Sequence, residues 1–180
     1  MAVKKAALAI FALMLVEGTF VMSESTRFSE EKAKVEKAIN DCIMWPYPEK
    51  NIDRLYNAVA KDSSFVIFHP DSASTIIGYD AFQRMIDDVF LKDELKATGT
   101  DIRDLRINLS QSGDAAWYSC ILDDTGEWAG RPYRWLNTRW TGVLEKRDGT
   151  WLIVQMHFSF ASDAQDESDE QVSDKDKKDE

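Results

Sequence analysis

The stretch Arg139–Phe160, RWTGVLEKRDGTWLIVQMHFSF, constrains the fold more than any other part of the chain. From Leu152 to Phe158 every second residue is strongly apolar (Leu152, Val154, Met156, Phe158), and the residues between them, Ile153, Gln155 and His157, are mixed. That period of two marks a strand with one greasy face. Arg147-Asp148-Gly149 reads as the turn of a hairpin, because Asp tolerates tight backbone geometry and Gly takes positive φ without a Cβ clash. Two registers follow. A two-residue Asp-Gly loop pairs Trp140 with His157. A three-residue loop pairs Arg139 with His157 and Thr141 with Gln155. The second is preferred, since it gathers Trp140, Leu144, Leu152, Val154, Met156 and Phe158 on one face and keeps the Arg139 charge off it. The other face then carries Arg139, Thr141, Trp151, Gln155, His157 and Ser159.

Upstream, Ser29 is placed as an N-cap, with Glu30 and Glu31 against the helix dipole. Val35, Ala38, Ile39, Cys42 and Ile43 form one helical stripe, which Pro46 and Pro48 end. A shorter helix carries Ile52, Leu55, Tyr56 and Val59 on one side. Short strands over Ser64–Phe68 and Ser74–Ile77 flank His69-Pro70-Asp71, and a third helix spans Asp80–Leu91. Strands follow over Ile102–Leu109, Ala115–Asp123, Tyr133–Lys146 and Thr150–Phe160, with Asp124–Arg131 as a polar connection holding Trp128. Helices first, then consecutive strands on short turns, predict an α+β fold with a mostly antiparallel sheet.

Lys4 and Lys5 precede eleven uninterrupted apolar or small residues, Ala6–Val16, and Glu17-Gly18 end the run. That run is too short to span a bilayer and reads as a signal peptide over residues 1–23, leaving an exported (periplasmic or secreted) protein with no stable membrane anchor. Asp163–Glu180 holds nine acidic residues against three lysines and reads as an acidic disordered tail. The net charge of −10 argues against nucleic-acid partners.

Gly78, Asp80 and, one place early, Phe82 at the third helix, with Arg139, Thr141, Asp148, Gly149, Trp151, His157 and Ser159 in the last hairpin, resemble the SnoaL-like group of the nuclear transport factor 2-like superfamily. The resemblance covers Ser29–Ser162, the expected domain. The association domain of calcium/calmodulin-dependent protein kinase II is similar over the same stretch, although Gly142 and Phe158 stand where that domain has pocket arginines, so its anion site does not carry over. Some relatives also carry a second His where this chain has Gln155. The resemblance implies a cone-shaped, curved sheet wrapped around N-terminal helices, a cavity between them, and a dimer. It does not imply one chemistry, because the fold hosts isomerases, cyclases, dehydratases and plain binding domains.

The bulky aromatics facing the sheet predict an apolar cavity lined by Trp45, Tyr56, Phe68, Trp117, Trp140, Met156 and Phe158. The mixed outer face predicts a homodimer through the sheet. Phosphate-loop, nucleophile-elbow and paired-cysteine motifs do not occur, and His69, His157 and Asp71 lack metal-ligand spacing, so neither metal nor cofactor is expected. Cys42 and Cys120 read as buried thiols, with a disulfide as the alternative. Asp123, Asp124 and Glu127 form an acid cluster in which a desolvated carboxylate beside Trp117 or Trp128 could move a proton. Two functions follow. One is an exported module that binds a small apolar or amphipathic molecule. The alternative is a cofactor-free isomerase, cyclase or dehydratase, with Asp123 or His157 as proton carrier and Tyr118 or Arg139 steadying negative charge. The chosen register turns Arg139 and His157 away from the apolar face, which favours binding.

Overall fold

A computed structural model of the chain describes residues 25–70 and 75–161; the expected signal peptide, the acidic tail, Asp71 and Ser74 lie outside them. The chain divides into two compact units, Met1–Lys34 and Val35–Glu180. Residues 25–43 are helical (α1), so Ser29 lies inside a helix and does not cap it. In the first unit Lys34 Nζ pairs with Glu31 Oε1 at 2.9 Å, one helical turn away. Everything below concerns the second unit.

Along the second unit, α1 buries Val35, Ile39 and Cys42, the stripe predicted from the spacing. α2 (Ile52–Ala58) follows, then β1 (Val66–Phe68), β2 (Ile76–Ile77) and α3 (Tyr79–Met85), which runs on as a π-helical turn over Ile86–Phe90. Four strands complete the chain: β3 (Leu95–Leu109), β4 (Ala115–Trp128), β5 (Arg131–Arg147) and β6 (Thr150–Ser159). They form one six-stranded sheet in the order β2-β1-β6-β5-β4-β3, antiparallel throughout except where β1 lies parallel to β6. The fold is α+β, as expected.

Two strand boundaries differ from the sequence reading by five residues or more, both for the same reason. β4 does not stop at Asp123. It continues to Trp128, because Asp124, Thr125 and Gly126 pair with β3 on one side and with β5 on the other. β3 accordingly starts at Leu95, seven residues earlier than the alternation suggested. The connection is only Ala129-Gly130, with φ of 51° and 78°. This is the same two-residue, positive-φ geometry that Asp148-Gly149 uses at 49° and 82°.

The last hairpin corrects the preferred register. Arg147 pairs with Thr150, so the loop has two residues, but β6 then inserts Val154 as a bulge: Leu144 faces Ile153 and Val143 faces Gln155. Beyond the bulge Thr141 pairs with His157 and Trp140 with Phe158. Neither sequence register holds there. The preferred one is off by two residues, an even number, so it still assigns Trp140, Met156 and Phe158 to the inner face and Arg139 and His157 to the outer one. On the turn side of the bulge the facing inverts, and Trp151 and Ile153 are buried while Leu152 turns outward. Trp151 therefore belongs to the core, 3% exposed, with the Lys146 ammonium 5.8 Å from its ring centre.

Two tyrosine–glycine pairs let the long strands bend. Tyr118 lies across from Gly142 and Tyr133 across from Gly126. A Cβ on either glycine would meet the tyrosine ring and a backbone oxygen at 2.6 Å. Each ring thus occupies the space that its partner's missing side chain leaves.

The bulge makes a direct prediction. Trp151→Ala should lower unfolding free energy by about 3–5 kcal/mol, as for a large core aromatic. Trp117→Ala, at a residue 49% exposed on the outer face, should cost less than about 1 kcal/mol. Comparable losses in urea denaturation would mean that the facing assigned to Trp151 is wrong.

Candidate functional site

Between the inner face of the sheet and the helices lies a cavity of about 410 Å³. The helix side is walled by Trp45 and by Phe82 and Phe90, with Trp45 and Phe90 rings 5.3 Å apart. The sheet side presents Trp128, Trp135, Met156 and Phe158. Phe158 stacks on Trp140 at 5.5 Å and 7°, and meets Trp135 edge-on at 5.7 Å. Polar groups in the wall are few: Asp124, Tyr133, His69 and the Cys42 thiol.

Asp124 is there because β4 keeps its alternation. Ala116, Tyr118, Cys120 and Leu122 point inward, and Asp124 is the next residue on that face. Its direct partner on β3 is Thr100, whose Oγ1 donates to Asp124 Oδ1 at 2.9 Å. Burial disfavours the charged form more strongly than this one hydrogen bond favours it, and the carboxyl is pushed up to about 6. Tyr133 reaches the same wall through a bulge in β5: Leu122 pairs with Thr138 but Asp124 with Trp135, so inward facing passes from even to odd residues. Burial, and then the charge of Asp124, push the Tyr133 phenol up to about 12, so it stays a neutral donor. The His69 ring is held 5.9 Å from Trp135 and 5.7 Å from Phe158. Cys42 Sγ approaches Met156 Sδ at 3.5 Å, and burial raises the thiol to about 12, which leaves it protonated and unreactive. Cys120 is likewise buried; both cysteines are free.

The residues singled out from sequence divide sharply. Trp45, Met156 and Phe158 border the cavity. Tyr56 packs on the core and accepts a hydrogen bond from Gln83 Nε2 at 3.1 Å, away from the cavity. Trp140 is enclosed behind Phe158. Phe68 and Trp117 stand half-exposed on the outer face, because β1 and β4 turn those positions outward. Arg139 and His157 are exposed on that same face, and the Phe68 and His157 rings meet edge-on at 6.2 Å. Tyr118 is buried against Trp140 and Gly142, with its phenol pushed upward by burial, and does not border the cavity. Asp123 points outward, where it accepts from Arg103 Nη2 at 2.9 Å on both oxygens and from the Asn137 N–H at 2.7 Å. The acid of the cluster inside the cavity is its neighbour, Asp124. Continuing the step of two from Ala116 through Leu122 would have found it; treating Asp124–Arg131 as a loop hid it. Tyr133 and Trp135 had no such signal, since only the bulge brings them inward. No group of three or more His, Cys, Asp or Glu that could hold a metal ion occurs among the described residues.

The raised carboxyl is also a statement about stability. Asp124 binds its proton more tightly folded (about 6) than unfolded (near 3.8), so it contributes nothing to the pH dependence below that unfolded value. Stability then falls as pH rises from about 4 to 6, by a total of roughly 2–3 kcal/mol. Asp124→Asn should remove this loss and be the more stable protein at pH 7.5, with the advantage vanishing near pH 4. Parallel denaturant curves for the two proteins from pH 4 to 7.5 would refute the desolvated setting of Asp124.

Comparison with known proteins places this geometry. The SnoaL-like domain profile matches residues 35–163. No curated protein matches in sequence. Among solved structures, a nuclear transport factor 2-like superfamily protein from Salmonella enterica serovar Typhimurium LT2 is 16% identical and covers 75% of this chain and 94% of its own, with a TM-score of 0.63. A protein with a cystatin-like fold from Novosphingobium aromaticivorans is 12% identical, covers 78% and 88%, and scores 0.59. A type 2 hexachlorocyclohexane dehydrochlorinase is 15% identical, covers 75% and 87%, and scores 0.58. At these identities the structures speak for the fold alone, and the profile match shows the family: this chain belongs to the SnoaL-like domain family, with the nuclear transport factor 2-like fold.

Proposed function

We propose that this chain is an exported protein that binds a small apolar or amphipathic molecule in the cavity between its sheet and helices. One observation carries the reading: a concave space of about 410 Å³, within the range of small-molecule sites, whose walls are aromatic and aliphatic with a single carboxyl among the described residues. Export rests on the dibasic start and the apolar run Ala6–Val16.

A second reading has its own observation. A carboxyl near pH 6 is poised to take and return protons at neutral pH, and Tyr133 and His69 border the same space. The dehydrochlorinase among the fold neighbours makes an eliminating enzyme on this scaffold a concrete alternative. In that case Asp124, and not Asp123, is the proton carrier. Binding is preferred because Tyr133 is folded over Gly126 and the rest of the wall is aromatic and aliphatic.

The outer sheet face supports pairing with a second copy. Trp117, Val143 and Phe68 are exposed there beside His157 and Thr141, an apolar and aromatic patch with a mixed polar rim. Sedimentation of the domain should give a dimer at micromolar concentration and a monomer for Trp117→Glu; a monomeric parent protein would remove this interface.

The ligand reading is tested by native mass spectrometry of protein purified from its own source. A retained small molecule is expected, and it should be lost in Val89→Trp, where a larger side chain enters the cavity. A supplied ligand recovered unchanged supports binding, and one recovered as an isomer or elimination product supports the enzyme. Absence of any adduct, with no uptake of apolar dyes by the folded protein, would defeat both.

A further inference from the structure

Resting on the reading that the cavity binds a small molecule, we infer that this molecule is an organic cation: a tertiary or quaternary ammonium seated against Asp124, between the aromatic walls. Three observations on the wall support this.

First, the charges that border the cavity have one sign. Among the described residues, Asp124 is the only carboxylate there, and neither Lys nor Arg borders the space. Arg103, on the neighbouring strand, is engaged on the opposite face of the sheet with Asp123 and the Asn137 side chain. The groups facing Asp124 are the Thr100 hydroxyl at 2.9 Å and the Tyr133 phenol, with His69 farther round the same wall between Trp135 and Phe158. Among the described residues, no Lys or Arg forms an ion pair with this carboxylate, and a cationic ligand supplies the missing partner.

Second, the remaining wall is made of the surfaces that attract cations. Trp45, Phe90, Trp128, Trp135 and Phe158 all border the space. The negative faces of such rings attract a cation, most strongly when water is excluded, and tryptophan does so best. An anionic ligand would meet both the carboxylate and these faces, and is selected against.

Third, hydrogen-bond acceptors in the wall are scarce. A primary ammonium carries three N–H groups and would leave some of them unsatisfied beside apolar carbon, which weakens its binding. A tertiary ammonium has a single N–H, which the Asp124 carboxylate can accept, and a quaternary one has none; both keep the charge.

The test uses the full chain, folded, at pH 7.5 and two probes of one shape, benzyltrimethylammonium and its carbon isostere neopentylbenzene, followed by tryptophan fluorescence. The cation should bind about tenfold or more tightly than the isostere, as desolvated cation–ring and ion-pair contacts imply. In Asp124→Asn the preference should shrink to about twofold while neopentylbenzene still binds, which shows the cavity to be intact. Neopentylbenzene binding as well as or better than the cation overturns the inference and leaves the apolar-ligand reading standing. A preference that survives unchanged in Asp124→Asn overturns the role given to the carboxylate. If neither probe binds, both readings fall. The comparison of the two probes on the unaltered protein decides the matter even if the variant does not fold.

Discussion

The curved sheet depends on one carboxylate that faces solvent. Asp123 sits in the middle strand of a three-strand patch and accepts hydrogen bonds from Arg103 on β3 and from the Asn137 backbone on β5. Arg103 Nη2 also donates to Asn137 Oδ1 at 2.9 Å, closing the triangle. On either side of it are left-handed residues, Asp104 at φ 54° and Asn137 at φ 53°, each at a break in strand register. Asp and Asn tolerate that conformation better than other side-chain-bearing residues. Each ion pair is partly exposed and energetically modest, about 0.2–1 kcal/mol. The clamp's importance is positional, since it fixes where the two outer strands may gain a residue. Were β5 regular below Thr138, Leu136 and Arg134 would point inward and Trp135 and Tyr133 outward. The aromatic wall of the cavity would then be replaced by a charge.

Curvature needs relief as well as a hinge. Gly142 and Gly126 sit on the inner face of β5 and β4, where a side chain would collide with a backbone oxygen of the neighbouring strand. Tyr118 and Tyr133 lie over these gaps from opposite strands, one pair in the core and one at the cavity wall. The two pairs have the same geometry and different surroundings. Tyr118 is wholly enclosed with Trp140, whereas Tyr133 shares a wall with Asp124. One structural device thus serves both the core and the site.

The parts of the fold that repeat a simple rule were legible in the sequence. The α1 stripe, the Asp148-Gly149 turn and the alternating apolar face of β6 follow from periods of 3.6 and 2 and from the positive-φ tolerance of Gly. The bulges were not legible, because an inserted residue need not differ in chemistry from its neighbours. Val154 is apolar in an apolar run, so nothing marks it as extra, yet it moves Trp151 from the outer face to the core. The site suffered in the same way. Met156 and Phe158 were placed at the cavity because a register error of two residues leaves their facing unchanged. Trp117 and Phe68 were not separable from them without knowing which face of β4 and β1 looks inward. Asp124 was within reach of the alternation rule but sits in an acidic, glycine-containing segment that resembles a loop. A strand can pass through such a segment when both neighbours pair with it.

Asp123 and Asp124 show how much a single step along a strand decides. The two are chemically identical and adjacent, and the pleat sends them to opposite sides of the sheet. Outside, Asp123 meets a guanidinium and a backbone N–H and organises three strands. Inside, Asp124 meets one hydroxyl and a wall of rings, and its ionised form is disfavoured. A core built only for stability would place an apolar residue there, since a desolvated carboxyl with one neutral hydrogen bond weakens the fold at neutral pH. Every other inward position of β4 from Ala116 to Leu122 is apolar or aromatic, which shows that the strand tolerates such residues on that face. Among the described residues, the cost falls at the one inward carboxyl that borders an open space. The same local sacrifice of stability is what a binding or proton-transferring group requires, because a carboxylate already satisfied by the protein has little left to offer a ligand.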